Sequence, residues 1–92
     1  MLKRYIIERE LPGLGDFSPE DLCKAARTSN EALSQLAPAV QWQHSYVTDN
    51  GTFCVYLAEN EEAVHAHAEK SGFPVKRIIE ATKIIDPVTA NG

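Results

Sequence analysis

The stretch that decides the fold reads Trp42-Gln43-His44-Ser45-Tyr46-Val47-Thr48-Asp49-Asn50-Gly51-Thr52-Phe53-Cys54-Val55-Tyr56. Two runs rich in aromatic and β-branched residues flank Asn50-Gly51 within it. An Asn-Gly pair between such runs is a strong signal for a β-hairpin, because a type I′ turn needs a positive φ at both central residues. The sequence therefore predicts strands over 40–48 and 52–58, with Asn50-Gly51 at the turn.

A helix is predicted on each side of this hairpin. Ser18 and Asn60 are residues that cap helix N-termini, and acidic residues follow each of them. Pro38 ends the upstream helix, and Gly72 suits the position just after the downstream one. One predicted helix thus precedes the hairpin in the sequence, and the other follows it.

Two further strands, over 2–10 and 76–85, complete the order βαββαβ. This order is typical of the ferredoxin-like α+β fold, a four-stranded antiparallel sheet with both helices on one face. The length of 92 residues suits one domain. We predict that this domain spans residues 1–86 and that residues 87–92 form a flexible C-terminal tail.

The second face of such a sheet has no helix to cover it. With a two-residue turn at Asn50-Gly51, one face carries Trp42, His44, Tyr46, Phe53, Val55 and Leu57, and both faces are mostly apolar. A small domain with an uncovered apolar face gains by burying it against a second copy. The sequence therefore predicts a homodimer of the dimeric α/β-barrel type.

Composition narrows the class of protein. The formal net charge of −4 argues against a nucleic-acid-binding module, which needs a basic face. No run of about 18 apolar residues exists, so no membrane span is expected. Two cysteines are too few for a disulfide framework. A cytoplasmic protein is the resulting expectation.

Three segments carry a resemblance to a known family. They are Tyr5-Ile6-Ile7-Glu8-Arg9-Glu10-Leu11-Pro12-Gly13, then Trp42-x-x-Ser45-Tyr46-Val47-Thr48-Asp49 with Cys54-Val55-Tyr56-x-Ala58, then His67-Ala68 with Gly72-Phe73-Pro74. Over residues 2–86 the chain resembles a family of small bacterial nickel-responsive proteins, formerly known only as a domain of unknown function. The resemblance implies a ferredoxin-like fold, a homodimer and nickel binding.

Imidazole and thiolate are the ligands that nickel and zinc favour, so His67, Cys54 and His44 are the candidate metal ligands. His67 ranks first because helical spacing points it at the sheet. The alternative for His67 is a core histidine held by a hydrogen bond. His65 lies about 200° from His67 around the helix, so the two do not share one ion. Other divalent transition metals remain open beside nickel.

Two alternatives to metal binding stay open. One is a cofactor-free small-molecule enzyme resembling monooxygenases or isomerases of the dimeric α/β-barrel type, an argument from fold analogy alone. The other is a dimeric ligand-binding module. Either one would use a pocket lined by Trp42, Tyr46 and Tyr56. No catalytic triad order, phosphate loop or HExxH motif is present. Glu8 and Arg9, at the end of the first strand, are either a functional acid and base pair or solvated charges. Solvation is the expectation, because charges at a strand end are normally solvated.

Overall fold

The structure is a computed structural model that describes residues 1–92. The main elements are β1 (Lys3–Glu10), α1 (Pro19–Leu36), β2 (Val40–Thr48), β3 (Gly51–Ala58), α2 (Glu61–Ser71) and β4 (Arg77–Ala81). This order confirms the predicted βαββαβ arrangement. The fourth strand is shorter than the predicted span of 76–85, because its pairing with β1 ends at Ala81.

The four strands form one antiparallel sheet in the order β2-β3-β1-β4. One face of this sheet supplies most of the core, including Ile7, Val40 and Tyr56. Val64 of α2 is buried in the same cluster, and Leu33 of α1 packs against it. Both helices therefore cover the same face, as the ferredoxin-like fold requires.

The helix ends follow the capping residues in the sequence. The Oγ of Ser18 accepts a hydrogen bond from the backbone N–H of Asp21, whose carboxylate accepts one from the N–H of Ser18. The Oδ1 of Asn60 accepts one from the N–H of Ala63 at 2.9 Å. Gly72 ends α2 with a φ of 76°. Glycine adopts this left-handed conformation without strain because it has no Cβ atom.

The turn of the hairpin differs from the prediction. Asp49 and Asn50 form the loop, and Thr48 pairs directly with Gly51. The type I′ prediction is wrong, because positive φ angles occur only at Gly13 and Gly72. Gly51 serves another purpose. It pairs with the end of β1, and a Cβ there would overlap the carbonyl oxygen of Arg9.

A bulge in β2 divides the predicted face of the hairpin. Trp42 lies opposite Tyr56, and His44 lies opposite Val55, so Gln43 is an extra residue in the ladder. The prediction that Trp42 shares a face with His44 and Tyr46 is therefore wrong. Trp42 points to the helix-covered side, while His44 and Tyr46 stay on the uncovered side.

The uncovered side of the sheet, called here the open face, carries an apolar row. Cross-strand pairing aligns His44, Val55, Ile6 and Ile79 across all four strands. The next row contains Tyr46 and Phe53, followed by Glu8 and Arg77, which form an ion pair at 3.0 Å. Tyr46 is 62% exposed and Ile79 is 42% exposed. The helices leave this face uncovered, as predicted. Its apolar row lies between charged residues such as Arg4 and Glu8, so the prediction of a mostly apolar face holds for part of it only.

The C-terminal residues form a short 3-10 helix, Pro87–Asn91. Asp86 caps it by accepting a hydrogen bond from the N–H of Thr89. All its residues are exposed, and the flexibility expected of 87–92 stays a prediction. None of the helices combines the length and the hydropathy that a membrane span needs.

Candidate functional site

A cavity of about 380 Å³ lies between the sheet and the N-terminal part of α1. Its walls are mostly apolar and include Leu11, Leu14, Phe17, Leu22, Trp42 and Phe73. Phe17 and Leu22 of this wall are 43% and 37% exposed, so the wall is partly open to solvent. A concave, apolar space with few polar groups is the usual form of a small-molecule site.

The bulge in β2 shapes this cavity. Trp42 and Ser45 both line it, and the indole Nε1 of Trp42 donates a hydrogen bond to Ser45 Oγ at 3.0 Å. Tyr56 also lines it, but Tyr46 lies on the open face. Of the three predicted pocket residues, the fold thus brings together Trp42 and Tyr56 and leaves Tyr46 outside.

Arg9 is the only charged residue in the wall of the cavity and is 3% exposed. Its Nη1 donates hydrogen bonds to the carbonyl oxygens of Phe73 and Pro74, at 3.2 and 3.0 Å. Its Nη2 is buried and has no hydrogen-bond partner. The guanidinium also lies 5.8 Å from the centre of the Phe73 ring. The expectation that Arg9 is solvated is therefore wrong.

His67 is fully buried on the inward side of α2, which confirms its predicted orientation. Its Nε2 lies 3.2 Å from Ser29 Oγ of α1, and its ring centre lies 5.0 Å from that of Tyr56. Its Nδ1 has no partner. Burial lowers the pKa of His67, and the nearby Arg9 charge lowers it further, while hydrogen bonding to Ser29 partly opposes both effects. The imidazole is therefore neutral at pH 7.

Tyr56 lines the cavity and also lies beside His67, with the two ring centres 5.0 Å apart. Burial raises the pKa of the Tyr56 phenol, and the neighbouring Cys54 raises it further, while Arg9 and Ser29 act in the opposite direction. The phenol is therefore protonated at neutral pH. The Cys54 thiol is buried beside Tyr56 on the helix-covered side and donates to Thr52 Oγ1 at 3.2 Å.

The three candidate metal ligands do not form one site within a chain. Cys54 and His67 lie on the helix-covered side of the sheet, whereas His44 is exposed on the open face with its ring 5.2 Å from that of Tyr46. No group of three His, Cys, Asp or Glu side chains is placed to hold a metal ion. His65 is exposed on α2 and lies 3.8 Å from Glu61.

Comparison with known proteins identifies the family of this chain. A family model described as nickel responsive protein SCO4226-like matches residues 5–81. The chain belongs to this family. The match includes most of β1, the hairpin, both helices and β4, and so contains the cavity and all three histidines.

The fold of this SCO4226-like protein agrees with a solved structure from the same family. The crystal structure of SCO4226 from Streptomyces coelicolor A3(2) superposes with a TM-score of 0.75 at 14% sequence identity. The alignment covers 89% of this chain and 99% of the other. A comparison with curated protein sequences gave no match. At this identity the similarity establishes the fold.

The burial of Arg9 is the feature of the site that the sequence analysis did not predict. Strand alternation already contained the signal, since Tyr5, Ile7 and Arg9 are spaced by two along β1 and share a face. The position at the end of the strand suggested solvent instead. The loop that follows α2 covers Arg9, and its carbonyl oxygens supply the hydrogen bonds.

Proposed function

We propose that this SCO4226-like protein binds nickel as a homodimer and thereby takes part in a nickel response. Membership of a nickel-responsive family over residues 5–81 is the observation that carries this proposal. We also propose a cytoplasmic location. Cys23 and Cys54 form no disulfide, and the cytoplasm would keep both thiols reduced.

The placement of the donors supports a metal site completed by a second chain. His67 ranked first from the sequence, but the positive charge of Arg9 acts on it and disfavours a divalent cation there. His44 lies instead on the open face, which a second copy would cover. Two-fold symmetry supplies each donor twice, so His44 from both chains gives two imidazole ligands.

Calorimetric titration of the protein without a His tag, with nickel as ligand, tests this proposal. We expect one nickel ion per two chains. We also expect His44→Ala to weaken nickel binding by at least about ten-fold. His65→Ala is the matched control, because His65 is also exposed but lies on α2. Equal losses in both variants would indicate adventitious surface binding. A larger loss of nickel affinity in His67→Ala would indicate a site in the interior of the chain. No nickel binding by the wild-type protein would refute the metal proposal.

The cavity supports a second candidate function, the binding of a small apolar molecule. A volume of about 380 Å³ falls within the range of ligand pockets in proteins, about 300–1,000 Å³. Titration with 1-decanol, followed by the emission of Trp42, tests it, because Trp42 is the only tryptophan and lines the cavity. Ala26→Phe, in the cavity wall, should abolish the response, while Ala90→Phe, on the exposed 3-10 helix, should retain it. A response that survives Ala26→Phe would contradict binding in the cavity.

A further inference from the structure

Arg9 is a buried cation that no carboxylate neutralises. Its side chain forms no salt bridge, and its Nη1 is satisfied by two carbonyl oxygens while its Nη2 has no partner. A buried charge without a counter-ion is costly, because the desolvation of the charge is not compensated. Arg9 therefore lacks an anionic partner, and its side chain lines a cavity of about 380 Å³.

The acidic residues beside Arg9 in the sequence are not available to it. Glu8 and Glu10 flank it in β1, so alternation directs their side chains to the opposite face of the sheet. There Glu8 pairs with Arg77 at 3.0 Å, and Glu10 pairs with Lys76 at 2.9 Å. No acidic residue lines the cavity itself. An anion that neutralises Arg9 through the cavity must come from outside the chain.

We infer that the cavity binds a small apolar molecule carrying one carboxylate, with the carboxylate directed toward the guanidinium of Arg9, which lines the cavity. The inference rests on small-molecule binding, the second candidate function. The planar guanidinium matches the geometry of a carboxylate, and the two bonds from Nη1 hold it in a fixed orientation. The apolar body of the ligand would lie against side chains such as Leu14, Trp42 and Phe73.

Three probes with the same ten-carbon chain separate charge from apolar contact. Decanoate, 1-decanol and decylammonium are each titrated into the wild-type protein with a metal chelator present, followed by Trp42 emission and calorimetry. We expect decanoate to bind at least ten-fold more tightly than 1-decanol, and decylammonium to bind most weakly. Equal affinities for decanoate and 1-decanol would refute the role of Arg9 while leaving small-molecule binding intact. Failure of all three probes to bind would refute both the role of Arg9 and the binding of small apolar molecules in the cavity. The chelator keeps these outcomes independent of the nickel proposal.

An arginine variant then assigns the effect to one side chain. Arg9→Met should reduce the affinity for decanoate to that for 1-decanol and leave the affinity for 1-decanol unchanged or higher. Arg27→Met, on the exposed surface of α1, is the matched control and should retain the preference for decanoate. A preference that persists in Arg9→Met would overturn the inference. If Arg9→Met does not fold, the ranking of the three probes on the wild-type protein still decides it.

Discussion

The indole Nε1 of Trp42 donates a hydrogen bond to Oγ of Ser45, 3.0 Å away, although the two residues are three positions apart in one strand. Strict alternation would place them on opposite faces of the sheet. The extra residue at Gln43 shifts the alternation, so that both side chains line the cavity on the helix-covered side. One bulge thus moves the only tryptophan from the open face into the candidate ligand site.

The first prediction concerns this hydrogen bond. Ser45→Ala leaves the half-buried Trp42 N–H without its partner, so the free energy of unfolding should fall by about 0.5–1.5 kcal/mol. Denaturant unfolding measures the change. In a Trp42→Phe background the same substitution should have little effect, because the donor is already absent. Equal losses in the two backgrounds would show that the bond contributes nothing.

The second prediction concerns Gly51. Gly51→Ala brings a Cβ against the backbone carbonyl oxygen of Arg9, where no flexible side chain is available to move away. We expect a loss of about 1–3 kcal/mol in the free energy of unfolding, the usual cost of overpacking. Gly92→Ala is the control, since its Cβ would meet no atom closer than 3.9 Å. A denaturation midpoint for Gly51→Ala as high as that of the control would contradict the tight pairing of β1 and β3.

The third prediction is a pH dependence that originates at His67. Burial and Arg9 lower the pKa of folded His67 below its ordinary value of 6.5. As the pH falls below 6.5, the unfolded chain binds the proton before the folded chain does, so stability decreases until the folded pKa is passed. At pH values well above 6.5 the residue is neutral in both states, and no slope arises from it.

Two variants test this assignment. In His67→Gln the part of the acid slope that belongs to His67 should disappear, whereas the exposed control His65→Gln should keep it. Denaturant unfolding at several pH values below 7 measures the difference between each variant and the parent. An unchanged slope in His67→Gln would mean that another group is responsible.

The fourth prediction is the homodimer. The open face exposes apolar side chains such as Tyr46 and Ile79, and a second copy would bury them. Sedimentation equilibrium at micromolar concentration should give about twice the chain mass of 10.2 kDa. Tyr46→Asp should shift the protein toward the monomer. Ile84→Asp should not, because Ile84 is exposed to nearly the same extent, 63% against 62%, but follows the end of β4. A monomeric parent would remove both the dimer and any nickel site shared between chains.

The amino-acid sequence by itself determined the order of the elements and the ends of both helices. Local chemistry decides these features, because Ser18, Asn60 and Gly72 act on backbone groups within a few residues of themselves. The inward orientation of His67 followed in the same way from helical periodicity. The order of the elements likewise predicted a sheet face that both helices leave uncovered.

Only the tertiary structure decided the turn, the bulge and the environment of Arg9. Gly51 is required by the approach of β1, a strand about 40 residues distant in sequence, and not by its own φ angle. The bulge at Gln43 depends on pairing with β3, and the burial of Arg9 depends on carbonyl oxygens 64 and 65 residues away. Contacts between distant segments set these features. Alternation along β1 indicates the face on which Arg9 lies, but not the loop that covers it.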